Sequence, residues 1–286
     1  MLFTIKNHLL ECQISTYSAE IISVKRISDG KDYMWDGHDF WQRHAPLLFP
    51  FCGYISQPYF YRGKKYDESV KHGFLNKTEF CGTQITQSEV VFTVKDSPET
   101  LAMYPFSFEF TARYYLDGDT LCSEYKIKNC SDDVMLYMFG LHPGFNLLGN
   151  EPKEKFYVDI GKEMTLKQHP LIPPCVSSET YDRFVEGGKI FITNEIYEHG
   201  TIVLDGTPTS ADLVGPDGRI VSMSWSENFA HLCIWKAFDD AARYVCIEPW
   251  SNLPSDGSKP DDLDEKDMVH LAAGKEDVYT CNFKFC

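Results

Sequence analysis

Four short segments carry side chains that could move protons or grip a polar ligand. They are WQRHAPLLFPFCGYI around Arg43 and His44, KHGFLNKTEF around His72, GLHPGFN around His142, and CIEPWSN around Glu248. In each, polar groups stand among aromatics, Gly and Pro where a plain strand would only alternate. A lone His in an apolar run is more often a hydrogen-bonded core residue than a catalyst. Arg43, beside Trp41, could equally stack on it or pair with a carboxylate. Glu248 resists such a reading: it follows Val245-Cys246-Ile247 and precedes Pro249-Trp250, and an unpaired carboxylate at the end of a buried strand is costly. Pro143 and Pro249 bias His142 and Glu248 to extended backbone, which puts both side chains at strand ends opening on a cleft. A carboxylate and an imidazole on opposite sides of one bound molecule can move protons in opposite directions, which is general acid–base chemistry. The aromatics Trp35, Trp41, Phe74, Phe145, Trp235 and Trp250 add flat apolar faces. Together with Arg43 and the histidines they suit a sugar, with its hydroxyls and its C–H surface.

The elements that must position these groups read as strands. Period-two alternation marks CQIST, EIISVKRI, VVFTVKD, SFEFTARYYL, LCSEYKIKN, KIFITNEI, TIVLDG, RIVSMSW, HLCIWKA and VYTCNFKF. Asp-Gly pairs at 29–30, 36–37, 117–118, 205–206 and 217–218 supply hairpin turns, and Phe108 to Lys128 is the clearest hairpin. Helical periodicity is confined to DDLDEKDMVHLAAG, where acidic residues crowd a first turn and Gly274 could close it. With no internal repeat or linker, the 286 residues read as an all-β chain, one large antiparallel sandwich in a single domain spanning 1–286.

Composition narrows the partners. The balance of 27 basic against 42 acidic residues, a formal charge of −15, disfavours nucleic acid and anionic membrane surfaces. No stretch reaches the roughly 18 uncharged apolar residues of a membrane span, and the N-terminal segment lacks a signal-peptide pattern, so a cytoplasmic protein is expected. Ten cysteines without a C-x-x-C pair point to reduced, mostly buried thiols. The candidate acid–base residues lie far apart without His-x-His or His-x-x-x-His spacing, so no metal is expected, although two His and a Glu could form an open metal site. A monomer or homodimer is compatible with the sequence.

The segments AEIISVKR, YMWDGHDFWQRHAPLLFPFCGYI, KHGFLNKTEF, GLHPGFNL and CIEPW, in this order and spacing, resemble the aldose 1-epimerase (galactose mutarotase)-like family. Its branch encoded beside bacterial lactose and tagatose utilisation genes is the most similar. The resemblance spans essentially the whole chain and implies an antiparallel β-supersandwich of the galactose mutarotase type. It also implies interconversion of the α and β anomers of an aldose, with no cofactor or metal. Carried over by residue, it implies Glu248 as the base at the anomeric hydroxyl and His142 as the acid at the ring oxygen. His72 would bind the sugar near those two oxygens and Arg43 would hold hydroxyls. Among the aromatics read from the sequence itself, Trp235 and Phe74 are the candidate substrate-binding residues. The Asp that galactose mutarotases use for remote hydroxyls has no clear counterpart, Asp182 being a candidate. Arg43, His44 and Lys71 could neutralise a sugar phosphate, and a carbohydrate-binding sandwich without catalysis is the rival reading.

Overall fold

The computed structural model describes residues 1–69, 71–193, 200–237, 239 and 241–286. Two large antiparallel sheets dominate. One runs in the order Lys189–Phe191, Tyr157–Asp159, Ser210–Gly215, Gly218–Trp225, Glu276–Phe285, Thr120–Asn129, Phe108–Asp117, Glu89–Lys95 and Cys81–Thr86. Its strands alternate as their sequences do. In Phe108–Asp117 the inward residues are Phe108, Phe110, Ala112, Tyr114 and Leu116, while the intervening polar side chains meet solvent. The predicted hairpin forms, with Phe108 paired to Asn129 and Gly118 at φ +56° in the turn, a backbone conformation glycine adopts without steric cost.

The second sheet carries the site. Its order is Tyr181–Val185, Met164–His169, Thr201–Asp205, His231–Trp235, Tyr244–Trp250, Gly140–Leu141 and Leu47–Leu48, with Gly144–Asn146 also paired to Tyr244–Trp250. Every residue of Tyr244–Trp250 is buried, because both faces of this central strand are covered. That is why YVCIEPW reads as an apolar run with Glu248 as its exception. Phe49, Phe139 and their neighbours join the two sheets in one core. Phe49 touches Phe108 and Phe110, and Phe139 touches Phe110, Tyr125 and Tyr279.

Two expectations need correcting. DDLDEKDMVHLAAG is not helical: turns follow Asp262, and Val269–Leu271 pairs with Met135–Tyr137. The acidic side chains that resemble a first helical turn cap turns instead, Asp262 accepting from the Asp264 N–H. Conversely, Pro98–Met103 is a short α-helix, opened by Ser97, whose hydroxyl accepts from the Thr100 N–H in a capping box. Among the other predicted strands, KIFITNEI forms Lys189–Phe191, and its residues from 194 onward lie outside the described residues.

Candidate active site

Register alone explains how His142 meets Glu248. Gly140 pairs with Trp250 and Gly144 with Cys246, so counting two residues inward from each pair sets residue 142 opposite residue 248. Directly opposed residues of a pleated sheet point to the same face, so both side chains do. On the other flank Cys233 pairs with Glu248 and Trp235 with Cys246, and period two keeps Cys233, Trp235, Cys246 and Glu248 on that face as well. Glu248 thus sits inside a strand and not at its end, as its neighbours in sequence suggested. His142 bridges two short strands that both lean on the Glu248 strand.

The imidazole Nε2 lies 3.3 Å from Glu248 Oε1, and both side chains are almost completely buried. Among the described residues, neither carboxylate oxygen and neither His142 Nδ1 nor Trp250 Nε1 has a hydrogen-bond partner. Native interiors rarely leave such atoms unpaired. They border a cavity of about 390 Å³ walled by Trp41, Arg43, Lys71, His72, Trp235 and Trp250, a volume in the range of small-molecule sites. Trp41 stacks on His142 at 4.8 Å between ring centroids, and Trp235 meets the same ring edge-on at 5.7 Å.

Burial sets the protonation preferences, moving the two groups in opposite directions. It pushes the Glu248 carboxyl well above the ordinary carboxylate value, with the positive charge of Lys71 opposing. It holds the His142 imidazole down to about 3, with Lys71 and Arg43 adding to the effect. The neutral form of each group is favoured.

His72 stands behind His142, its ring edge-on at 5.4 Å. Its Nδ1 accepts the Gly53 N–H at 3.0 Å and its own N–H donates to the Gly53 carbonyl at 2.7 Å. An accepting Nδ1 leaves Nε2 as the protonated nitrogen of a neutral ring. Burial, then His142, Lys71 and Arg43, holds this ring below its usual pKa.

Arg43 is anchored, not loose. Its Nε and Nη2 donate to Glu20 Oε2 at 3.1 and 2.9 Å, and Nη1 donates to the Asn76 carbonyl at 2.6 Å. Buried Glu20 also accepts the backbone N–H groups of His44 and Ala45, so one carboxylate fixes the whole RHA segment at the cavity wall. Of the sequence candidates, the structure gathers Arg43, His72, His142, Trp235 and Glu248 around one cavity. Phe74 does not join them. It is a core residue packed on Phe49, Tyr104 and Phe108, because the chain turns after Gly73 and carries its ring inward. Asp182 is likewise remote, an exposed edge residue paired with Lys167 at 2.6 Å. Trp35 and Phe145, expected to offer flat faces to a sugar, are instead buried behind the site. Among the described residues, His142, Cys246 and Glu248 offer ligand atoms within 4.8 Å of one another, whereas the two histidines with Glu248 form no such set.

A family model described as aldose 1-epimerase matches residues 1–281. The chain belongs to the aldose 1-epimerase family. Similar solved structures include a galactose mutarotase related enzyme from Lactobacillus acidophilus, 30% identical with a TM-score of 0.92, covering 100% of this chain and 97% of that one. A galactose mutarotase-like protein from Lactobacillus casei is 26% identical with a TM-score of 0.92 over 100% of both chains. Protein LacX, encoded on a plasmid of Lactococcus lactis, is 26% identical over 283 residues, 94% of each chain. In this aldose 1-epimerase family member, no helix among the described residues is long and apolar enough to cross a membrane. Glu20, within AEIISVKR, is the functional residue that the motifs alone do not single out. A carboxylate opening an otherwise apolar strand start was the available signal for the anchor of Arg43.

Proposed function

We propose that this protein interconverts the α and β anomers of an aldose, with Glu248 and His142 as the proton-transfer pair. The observation that carries this reading is the 3.3 Å approach of His142 Nε2 to Glu248 Oε1 at the base of the cavity. The two oxygens that must exchange protons, the ring oxygen and the anomeric hydroxyl, sit on the same carbon. An acid and a base for them must therefore be near neighbours.

The cycle balances within the pair. Ionised Glu248 takes the proton from the anomeric hydroxyl while imidazolium His142 gives one to the ring oxygen. The C1–ring oxygen bond breaks, C1 becomes a carbonyl, and both side chains end neutral. The C1–C2 bond rotates. The neutral pair then works in reverse: Glu248 protonates the carbonyl oxygen, His142 takes the proton from the former ring hydroxyl, and the ring closes on the other face. Burial favours the neutral pair, the form that faces the open-chain aldehyde. Hydroxyls of a bound sugar donating to Glu248 favour its ionised form and so the opening half. The Nε2–H of His72 and the remaining guanidinium donors of Arg43 hold sugar oxygens, and Trp41 and Trp235 offer apolar faces.

Polarimetry of freshly dissolved α-glucose and α-galactose tests the reading. Wild type should speed the approach to equilibrium, while His142→Ala and Glu248→Gln each lower kcat by about 10²–10⁴ with a smaller effect on KM. Variants that keep the wild-type rate would remove the pair from the mechanism. A phosphorylated aldose is the second reading, carried by Lys71 and Lys77 on the cavity wall, neither ion-paired among the described residues. A lower KM for the 6-phosphate than for the free hexose, lost in Lys71→Ala, would favour it.

A further inference from the structure

On the same face of the site sheet, a second cluster of chemically capable side chains plays no part in the proposed proton transfers. His169, Asp205 and His231 converge from three neighbouring strands. Asp205 is the direct cross-strand partner of His231, and His169 lies diagonal to it, paired with Val203. In the cross-strand row that contains Glu248, Cys233 and Val203 intervene before His169, which is three strands and about 14 Å away at ordinary strand spacing. His231 is the nearest member, on the strand beside that of Glu248 and paired with Trp250, yet none of the three lines the sugar cavity. His169 Nε2 is 2.8 Å from Asp205 Oδ2, and His231 Nδ1 is 2.5 Å from Asp205 Oδ1.

We propose that His169, Asp205 and His231 bind one divalent transition-metal ion of the zinc or nickel class, at a site separate from the sugar cavity. All three ligand atoms lie within 4.8 Å of one another. The orientation of His169 is the second observation. Its Nδ1 lies 2.8 Å from the Ser177 carbonyl, which can only accept, so Nδ1 carries a proton. A neutral ring then presents the Nε2 lone pair to the Asp205 carboxylate, itself only an acceptor. Two acceptors that close require a cation between them. In the metal-free protein a second ring proton supplies it, and a metal ion does the same with two coordinate bonds. A backbone carbonyl holding the distal nitrogen of a histidine is the usual outer-shell arrangement of metal-ligating imidazoles.

The donor set and access agree with this. Two imidazoles and a carboxylate suit zinc, nickel and cobalt better than calcium or magnesium. Three protein ligands leave coordination positions for water. Bond lengths of about 2.0–2.2 Å in a tetrahedral site separate neighbouring donors by about 3.3 Å, so the three side chains need spread only by a few tenths of an ångström to somewhat under one. The Asp205 side chain is 33% exposed, which gives an ion a way in. Sequence spacing conceals the set, because 36 residues separate His169 from Asp205 and 26 separate Asp205 from His231.

The test titrates chelator-stripped, full-length protein with Co(II) and Zn(II), read by calorimetry and by the cobalt absorption spectrum. One saturating equivalent is expected, with no thiolate-to-cobalt charge-transfer band. Asp205→Asn and His231→Gln should each weaken the dissociation constant at least about tenfold while keeping the wild-type circular dichroism. X-ray absorption of the zinc-loaded wild type, which needs no variant, should show only nitrogen and oxygen neighbours. Absence of saturable binding would overturn the proposal. So would an affinity that both substitutions leave unchanged, or a sulfur neighbour at about 2.3 Å that Cys246→Ser removes, which would put the ion on the His142, Cys246 and Glu248 set.

Discussion

Two protons' worth of chemistry at Glu248 and His142 fix how the proposed rate should respond to pH. The pair works while it holds one proton. A second proton, which His142 takes only near pH 3, removes the base, and loss of the last proton from Glu248 removes the acid. The profile of kcat/KM should therefore have its acid limb far below the ordinary imidazole value of about 6.5. Its alkaline limb should lie above the ordinary carboxylate value of about 4.3. An acid limb at the imidazole value would show that the burial effect on His142 is absent in solution. Glu20 makes a separate prediction. Removing its carboxylate strands the Arg43 guanidinium and two backbone N–H groups, so Glu20→Ala should cost about 3 kcal/mol, the low end for a broken buried pair because Arg43 is partly exposed. Urea unfolding would measure it, and a loss under 1 kcal/mol would mean that water replaces Glu20. At this scale the sequence was informative about polar residues in apolar surroundings, since Glu248 and His142 violate their strands visibly. It could not separate Trp41, which faces the cavity, from Phe74, which faces the core, because both are aromatics beside Gly or polar residues and only the turn at Gly73 decides the direction.

Strands positioned by register are what turn remote residues into a site. The segment Lys71–Phe74 shows how tightly that is set. Gly73 has φ +70°, and a Cβ on it would stand 2.0 Å from the Phe49 carbonyl oxygen, a backbone atom that cannot swing away. The same segment presents His72, bonded twice to Gly53. Gly73→Ala should therefore lower stability by at least about 1 kcal/mol from the positive φ alone, and lower kcat/KM by displacing His72. Thermal melting and polarimetry on the same sample check both, and an alanine variant with wild-type values of each would contradict the close approach. Local elements such as the Phe108–Asn129 hairpin were legible because a period-two pattern and an Asp-Gly turn lie within twenty-odd residues. The helix Pro98–Met103 announced itself in SPET but is too short for periodicity to register. Pairings such as Met135–Tyr137 with Val269–Leu271 join residues over a hundred positions apart, and no local pattern encodes them, which is why the last acidic segment read as helix.

The whole chain should respond to its sugar as one body. The site sheet and the larger sheet share a single buried cluster, in which Phe49 and Phe139 from around the site touch Phe108, Phe110, Tyr125 and Tyr279 of the opposite sheet. Loosening either sheet exposes the apolar face of the other, so neither has a stable state of its own. We expect one calorimetric transition whose measured and van't Hoff enthalpies agree. A sugar bound only by the folded chain at a hundred times its Kd adds about 2.7 kcal/mol. At about 2 °C per kcal/mol for a chain of this size, the single transition moves up by about 5 °C without splitting. Two transitions, of which the sugar shifts one, would mean that the two sheets melt separately and that the chain is not one folding unit. A single transition that free hexoses leave in place while Glu248→Gln also leaves it in place would instead point away from the cavity as a hexose site.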